Sequence, residues 1–141
     1  MTLQAQLLPL FVQVGLTFFL MFWMAGARTS SIRRGEVKVR DIALGQPAWT
    51  EDCTKVGNAY HNQFQLPVLF YVLVVLAIIA RKADLLFVIM SWIFVLLRVA
   101  HAFVHTGSNR LPDRFYVFAV GALVLLIMWI IFAVRVLLGL G

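Results

Sequence analysis

The apolar residues of this chain fall into long runs that polar residues interrupt only briefly. Residues 3–27, 56–80 and 115–134 contain no Asp, Glu, Lys or Arg, and residues 85–106 form a fourth apolar run interrupted by Arg98. Each run reaches or exceeds the roughly 20 residues that an α-helix needs to cross about 30 Å of hydrocarbon. The pattern therefore predicts an integral membrane protein with four transmembrane helices.

The predicted architecture is a single all-α domain over residues 1–141, a four-helix bundle within a membrane. The segment 28–52 mixes both charge signs with Gly35, Gly45 and Pro47, which favours a loop with turns over a further domain. The later connections are short, which predicts antiparallel helix neighbours. The helices are expected over about residues 2–27, 51–80, 84–106 and 113–138.

Polar side chains recur on one face of the second predicted helix. Asn58, His61, Asn62 and Gln65 follow the spacing i, i+3, i+4 and i+7, which places them on one side of a helix. Such a face points to other helices, water or a ligand, because lipid offers no hydrogen bonds. Pro67 follows within a turn and predicts a kink in a continuous helix.

The third predicted helix carries a stripe of Ser91, Arg98, His101 and His105. An arginine at mid-membrane costs roughly 2.5–3.5 kcal/mol on insertion scales, and no acidic residue lies within the four apolar runs. Two explanations stay open. The guanidinium is held by neutral acceptors such as the helix-two amides, backbone carbonyls and the histidines, or it binds an anionic ligand.

Two further arginines, Arg110 and Arg114, lie in the third connection and at the start of the fourth predicted helix. They either attract lipid phosphates and set topology, worth about 1 kcal/mol per charge, or complete an anion site with Arg98 and helix two. His101 and His105 are spaced as two metal ligands on one helix face. No carboxylate or cysteine accompanies them and Arg98 would repel a cation, so no metal is expected.

Composition and charge agree with a membrane protein: 62% of the residues are hydrophobic and 13% are charged. The net charge of +6 does not predict a nucleic-acid partner, because the basic residues flank the membrane spans. The positive-inside rule places the first and third connections in the cytoplasm and both termini outside. The single cysteine, Cys53, allows no internal disulfide. The cations of the first and third connections are Arg28, Arg33, Arg34, Lys38, Arg40, Lys55, Arg110 and Arg114, against Arg81, Lys82 and Arg135 at the opposite end.

Two sequence patterns resemble the MAPEG family, the membrane-associated proteins in eicosanoid and glutathione metabolism. One is Arg98-x-x-His101 followed by His105, Pro112 and Arg114, and the other is the helix-two run from residue 58 to residue 71. The resemblance covers essentially the whole chain and is closest to a bacterial branch of unassigned function. It implies a homotrimer in the bacterial inner membrane, with a glutathione site between neighbouring subunits that opens to the cytoplasm and the membrane.

The resemblance also implies roles for individual residues. Arg114 matches the arginine thought to stabilise the glutathione thiolate and is the expected catalytic residue. Arg98 and His101 match polar residues of the family's third helix, and Asn62 and Gln65 lie in its glutathione-binding region. The expected glutathione-binding set is Arg28, Asn58, Asn62, Gln65, Arg98, His101, His105 and Arg110.

The sequence departs from the family pattern at several of these positions. Gln65 stands where relatives place a glutamate, His105 where some have a tyrosine, and Phe115 and Phe118 where active prostaglandin-type members have hydroxyl side chains. The arginine that the family often carries a turn earlier in its second helix is absent, and Lys55 is the nearest cation.

The expected function is a glutathione-dependent transferase or peroxidase that acts on lipophilic electrophiles, with glutathione as co-substrate and lipids around it. The alternative is a non-catalytic accessory or lipid-binding protein of the same fold, which would serve a heteromeric membrane partner. A channel or transporter is a third class, but the helix-breaking repeat pair or charged ring typical of those proteins does not appear in the sequence.

Overall fold

Six α-helices follow one another in the computed structural model, which describes residues 1–140. Four spans, Leu3–Arg33, Glu51–Ile79, Leu85–Thr106 and Leu111–Leu137, are long and apolar enough to cross a membrane. The fold is therefore all-helical, as the four apolar runs predicted. The helices are α1 (Leu3–Arg33), α2 (Val39–Ile42), α3 (Glu51–Asn62), α4 (Leu66–Ile79), α5 (Leu85–Thr106) and α6 (Leu111–Leu137).

The first helix is longer than predicted and continues past residue 27 to Arg33. It begins where the Thr2 side chain accepts a hydrogen bond from the Ala5 amide, and it ends just before Gly35, whose φ is 75°. No Gly or Pro lies between residues 28 and 33 to stop it earlier. Arg28 consequently lies within the helix and not at a loop edge, and the following polar segment contains the short helix α2.

The second predicted helix is divided into α3 and α4 by residues 63–65, where one kinked helix was expected. Proline has no amide N–H, and its ring clashes with the carbonyl four residues earlier. For Pro67, that carbonyl belongs to Gln63, and the break begins there. Gln65 precedes α4 with a φ of −99° and a ψ of −106°, outside the helical region.

The last two helices begin close to their predicted positions. Asp84 accepts a hydrogen bond from the Phe87 amide and caps α5. The start of α6 is Leu111 instead of residue 113, because Pro112 fits the first turn of a helix, where a missing N–H has no consequence. Between α5 and α6, Asn109 adopts a left-handed backbone with φ 51°, which asparagine tolerates better than most residues.

The interior of the bundle is apolar at the end that holds the two chain termini. It is polar near the break between α3 and α4. Helix α1 packs against α3, α4 and α5, and α6 packs against α5 and α4. The rings of Phe70 and Phe94 stack at 4.8 Å between α4 and α5. Large apolar side chains remain exposed on the outer faces of the helices, as expected of a surface that meets lipid, and they include Phe11, Phe18, Phe22, Leu123, Leu126 and Ile130.

Candidate functional site

A cleft of about 460 Å³ opens between α3, α5 and the start of α6. It brings together residues from three separate parts of the sequence, so only the fold creates it. One side is polar and the α6 side is largely apolar. The lining residues are Asn58, His61, Asn62, Gln65, His101, His105, Leu111, Arg114, Phe115 and Phe118.

The polar wall comes from α3 and from the turn that follows it. Asn58, His61 and Asn62 line the cleft from α3, on the single face that their spacing predicted. Gln65 stays on the same side because the break continues as tight turns, in which the amides of Phe64 and Gln65 donate to the carbonyls of His61 and Asn62. Asn58, His61 and Gln65 are exposed, so their amide and imidazole groups are accessible to a ligand.

Arg98 lies directly behind this wall and is 1% exposed. Its Nη2 donates to the Asn62 side-chain oxygen at 2.8 Å and more weakly to the Asn62 carbonyl at 3.3 Å. Its Nε and Nη1 are buried without a hydrogen-bond partner within residues 1–140. The neutral cage that was one of the two explanations is thus only partly built, and Arg98 reaches the cleft through Asn62.

The two histidines of α5 form the floor of the cleft. His101 and His105 are both buried, and their rings meet edge to face with centroids 5.5 Å apart. Each has a buried Nδ1 with no hydrogen-bond partner in the described part of the chain. The described residues contain no group of histidine, cysteine and acidic side chains that could hold a metal ion.

Arg114 supplies the positive charge on the α6 side of the cleft. It is half-buried, and its Nη1 donates to the Asn109 side-chain oxygen at 2.9 Å. A guanidinium has five N–H donors, so this bond fixes the side chain and leaves capacity for an anion. The left-handed conformation of Asn109 presents that oxygen.

Besides Arg98, which lies behind Asn62, two residues of the expected glutathione-binding set do not line the cleft. The Arg28 guanidinium stacks over the Trp49 ring at 4.8 Å, and a Cβ on Gly57 would come within 3.2 Å of its Nη2. Arg110 is an exposed residue before α6 and pairs with Asp113 at 3.6 Å. Within one chain, Arg28 and Arg110 therefore do not line the cleft with Arg114, and their role in glutathione binding stays a prediction.

Three residues that matter to the site were missed by the sequence reasoning or given no role there. His61 was placed on the polar face but left out of the binding set, although it lines the cleft. Asn109 holds Arg114, and an asparagine in a turn after a helix was the available signal. Gln63 is buried and accepts a hydrogen bond from Gln13 at 2.8 Å, and helical spacing hid it because it faces away from Asn58 and Asn62.

The electrostatic character of the cleft is that of an anion site. No Asp or Glu is among the lining residues. Of the acidic residues nearest in sequence, Glu51 pairs with Lys55 and Asp113 with Arg110, and Asp52 is exposed in the first turn of α3. One guanidinium, a second one behind Asn62 and several neutral donors therefore face a ligand, next to the apolar wall of Leu111, Phe115 and Phe118.

Comparison with known proteins identifies the family. The family model that matches is described as the MAPEG family, and it covers residues 6–134. No curated protein and no solved structure matches the chain significantly. The family match and the four long apolar helices make this an integral membrane protein. Since the match spans nearly the whole sequence, the chain belongs to the MAPEG family.

Proposed function

We propose that the cleft binds glutathione and activates its thiol for reaction with a lipophilic electrophile or hydroperoxide. The observation that carries the proposal is the composition of the cleft. Arg114, three amides and three imidazoles line it together with the apolar side chains of α6. A water-soluble anion and a lipid-soluble molecule can meet on such a surface.

The size and polarity of the cleft support a small-molecule ligand. Its volume of about 460 Å³ lies within the roughly 300–1,000 Å³ of ligand pockets. Glutathione carries two carboxylates, which suit guanidinium and amide donors. Asn62 is oriented for this task, because its side-chain oxygen accepts from Arg98 and its NH₂ group remains to donate.

The chemical contribution assigned to Arg114 is stabilisation of the thiolate. A free thiol has a pKa of about 8.5 and is only a few per cent ionised at pH 7. Lowering that pKa by about two units takes about 2.7 kcal/mol of differential stabilisation. A charge-assisted hydrogen bond in a partly desolvated site supplies energy on this scale.

Two reactions follow from such a thiolate. In a transfer, the sulfur attacks an electrophilic carbon, the S–C bond forms and the leaving group departs with the bonding pair. In a peroxidase reaction, the sulfur attacks the terminal oxygen, the O–O bond breaks and the alkoxide takes a proton. A second glutathione then displaces water from the resulting sulfenic acid and gives the disulfide. Phe115 and Phe118 would hold the lipophilic partner in both cases.

A non-catalytic accessory or lipid-binding protein is the second candidate. Phe115 and Phe118 favour it, because the α6 wall of the cleft offers apolar contact and none of the lining residues carries a hydroxyl group. A partner membrane protein would then use the bundle as a scaffold. Saturable glutathione binding separates this candidate from the first.

We further propose a homotrimer whose first and third connections face the cytoplasm of a bacterium. The open cleft and the exposed apolar faces support association of copies. The cations in the last turns of α1, in α3 and at the start of α6 gather at one end of the bundle. The mass of the purified protein–detergent complex, corrected for detergent, tests the trimer. The side from which a membrane-impermeant reagent labels the exposed third connection tests the orientation.

The direct experiment is calorimetry with glutathione on the purified protein in lipid nanodiscs. We expect saturable binding at millimolar glutathione. Arg114→Ala should weaken it about tenfold, the loss of one charge-assisted hydrogen bond. Arg110→Ala is the matched control, since Arg110 pairs with Asp113 outside the cleft, and it should stay within about twofold of the unmodified protein. Folded protein that binds no glutathione would favour the accessory role.

A further inference from the structure

The cleft has an unbalanced charge that bears on what it can recognise. Arg114 lines it and Arg98 lies behind Asn62, while three histidines add imidazoles that hold no negative charge. None of its lining residues is acidic. A ligand with both carboxylates and an ammonium would find cationic partners for its carboxylates. Its ammonium would find no partner of opposite charge.

The acidic side chains of the chain lie outside the cleft lining, and most of them form ion pairs there. Five of them pair with a neighbouring cation, and Asp52 is exposed in the first turn of α3. None of the pairs joins residues of the cleft lining. The pairs are Glu36 with Arg34, Asp41 with Arg40, Glu51 with Lys55, Asp84 with Arg135 and Asp113 with Arg110.

The neutral acceptors of the polar wall are also few. The Asn62 side-chain oxygen already accepts from Arg98 at 2.8 Å, so Asn58 and Gln65 supply the amide oxygens that remain. An ammonium that leaves water needs a carboxylate or a full set of acceptors to offset its desolvation. Two amide oxygens and the imidazole nitrogens of three histidines supply no negative charge to offset that cost beside two guanidiniums.

We propose that the cleft recognises its thiol ligand as an anion alone and does not select for an amino group, with Gln65 as the residue that determines this specificity. The inference rests on the proposed function. The ligand class is an acidic thiol, held by its carboxylates and its thiolate. Gln65 faces the cleft at the break and makes no side-chain bond to cap α4. Its NH₂ group donates to a carboxylate, which a glutamate there would repel.

The test compares glutathione with glutaryl-cysteinyl-glycine, in which hydrogen replaces the amino group and both carboxylates and the thiol remain. Calorimetry in nanodiscs measures both affinities. The unmodified protein should bind the amine-free analogue at least as tightly as glutathione. Gln65→Glu should reverse the order and prefer glutathione about tenfold, the effect of one added charge-assisted pair.

The matched control is Gln46→Glu, the same chemical change on an exposed residue of the α2–α3 connection, outside the cleft lining. It should leave the ratio of the two affinities unchanged. Thermal denaturation of each variant establishes that a lost signal does not reflect unfolding.

Each remaining outcome overturns a defined part of the inference. Glutathione bound tenfold more tightly than the analogue by the unmodified protein means that an anion, for instance from a second copy, meets the ammonium. An unchanged ratio in Gln65→Glu removes Gln65 from the specificity. If neither thiol binds to folded protein, the proposed function fails together with the inference.

Discussion

Arg98 is the residue that explains most about how this site is built. A guanidinium that is 1% exposed and bonded to one asparagine, with two buried nitrogens lacking partners in the described residues, lowers the stability of the bundle. Buried charges of this kind are retained for function more readily than for stability. The pairing of Arg98 with Asn62 could be predicted from the sequence, because the second predicted helix offers amide acceptors. The stacking of Arg28 over Trp49 could not be predicted, since the two residues lie far apart in sequence.

Replacement of Arg98 should therefore separate stability from binding. Arg98→Met keeps the length of the side chain and removes the charge, so we expect an unchanged or raised melting temperature together with weaker glutathione binding. Asn62→Ala leaves the guanidinium without its side-chain acceptor and should cost about 1–3 kcal/mol. Thermal denaturation in detergent measures the stability of both variants, and calorimetry measures glutathione binding by Arg98→Met. A fall in Arg98→Met as large as in Asn62→Ala would mean that Arg98 is mainly structural.

The break between α3 and α4 is the decisive feature among the elements. Pro67 in the sequence predicted a kink, but the helix stops at Asn62 and restarts at Leu66. A contact between residues 50 apart in sequence lies at the break: the Gln13 side chain donates to the Gln63 side-chain oxygen, and the Gln63 side-chain NH₂ donates to the Ala59 carbonyl. Local periodicity contains no information on such a contact, which is why the proline was visible and the break was not.

The Gln13–Gln63 pair should behave as one unit in a double-mutant cycle. Gln13→Leu leaves the Gln63 oxygen buried without a donor, so the single variants should each lose stability. The double variant Gln13→Leu/Gln63→Leu removes both polar groups and should recover part of the loss. We expect a coupling energy of about 0.6–1.7 kcal/mol, from the average to the maximum measured for such bonds in a membrane protein. Chemical denaturation of the four proteins gives this value, and strictly additive losses would argue against the pair.

At the scale of the whole molecule, the membrane simplifies prediction. Only helices satisfy every backbone group in hydrocarbon within one segment, so long apolar runs were enough to predict the four spans and the all-helical fold. The cleft required more, because residues 58–65, 101–105 and 111–118 meet only when α3, α5 and α6 pack together. The sequence patterns had drawn attention to most of the residues that line the cleft. Packing alone decided that Arg114 lines it and Arg110 does not.

The most direct measurement is the ultraviolet absorbance of the glutathione thiolate on mixing with saturating glutathione at pH 7. The unmodified protein should show thiolate in proportion to bound glutathione, and Arg110→Ala should match it. Arg114→Ala, measured at equal occupancy, should lose most of the signal, because the guanidinium that offsets the sulfur charge is gone. Bound glutathione without thiolate in the unmodified protein, or an undiminished signal in Arg114→Ala, would contradict the assignment of this cleft as a thiol-activating site.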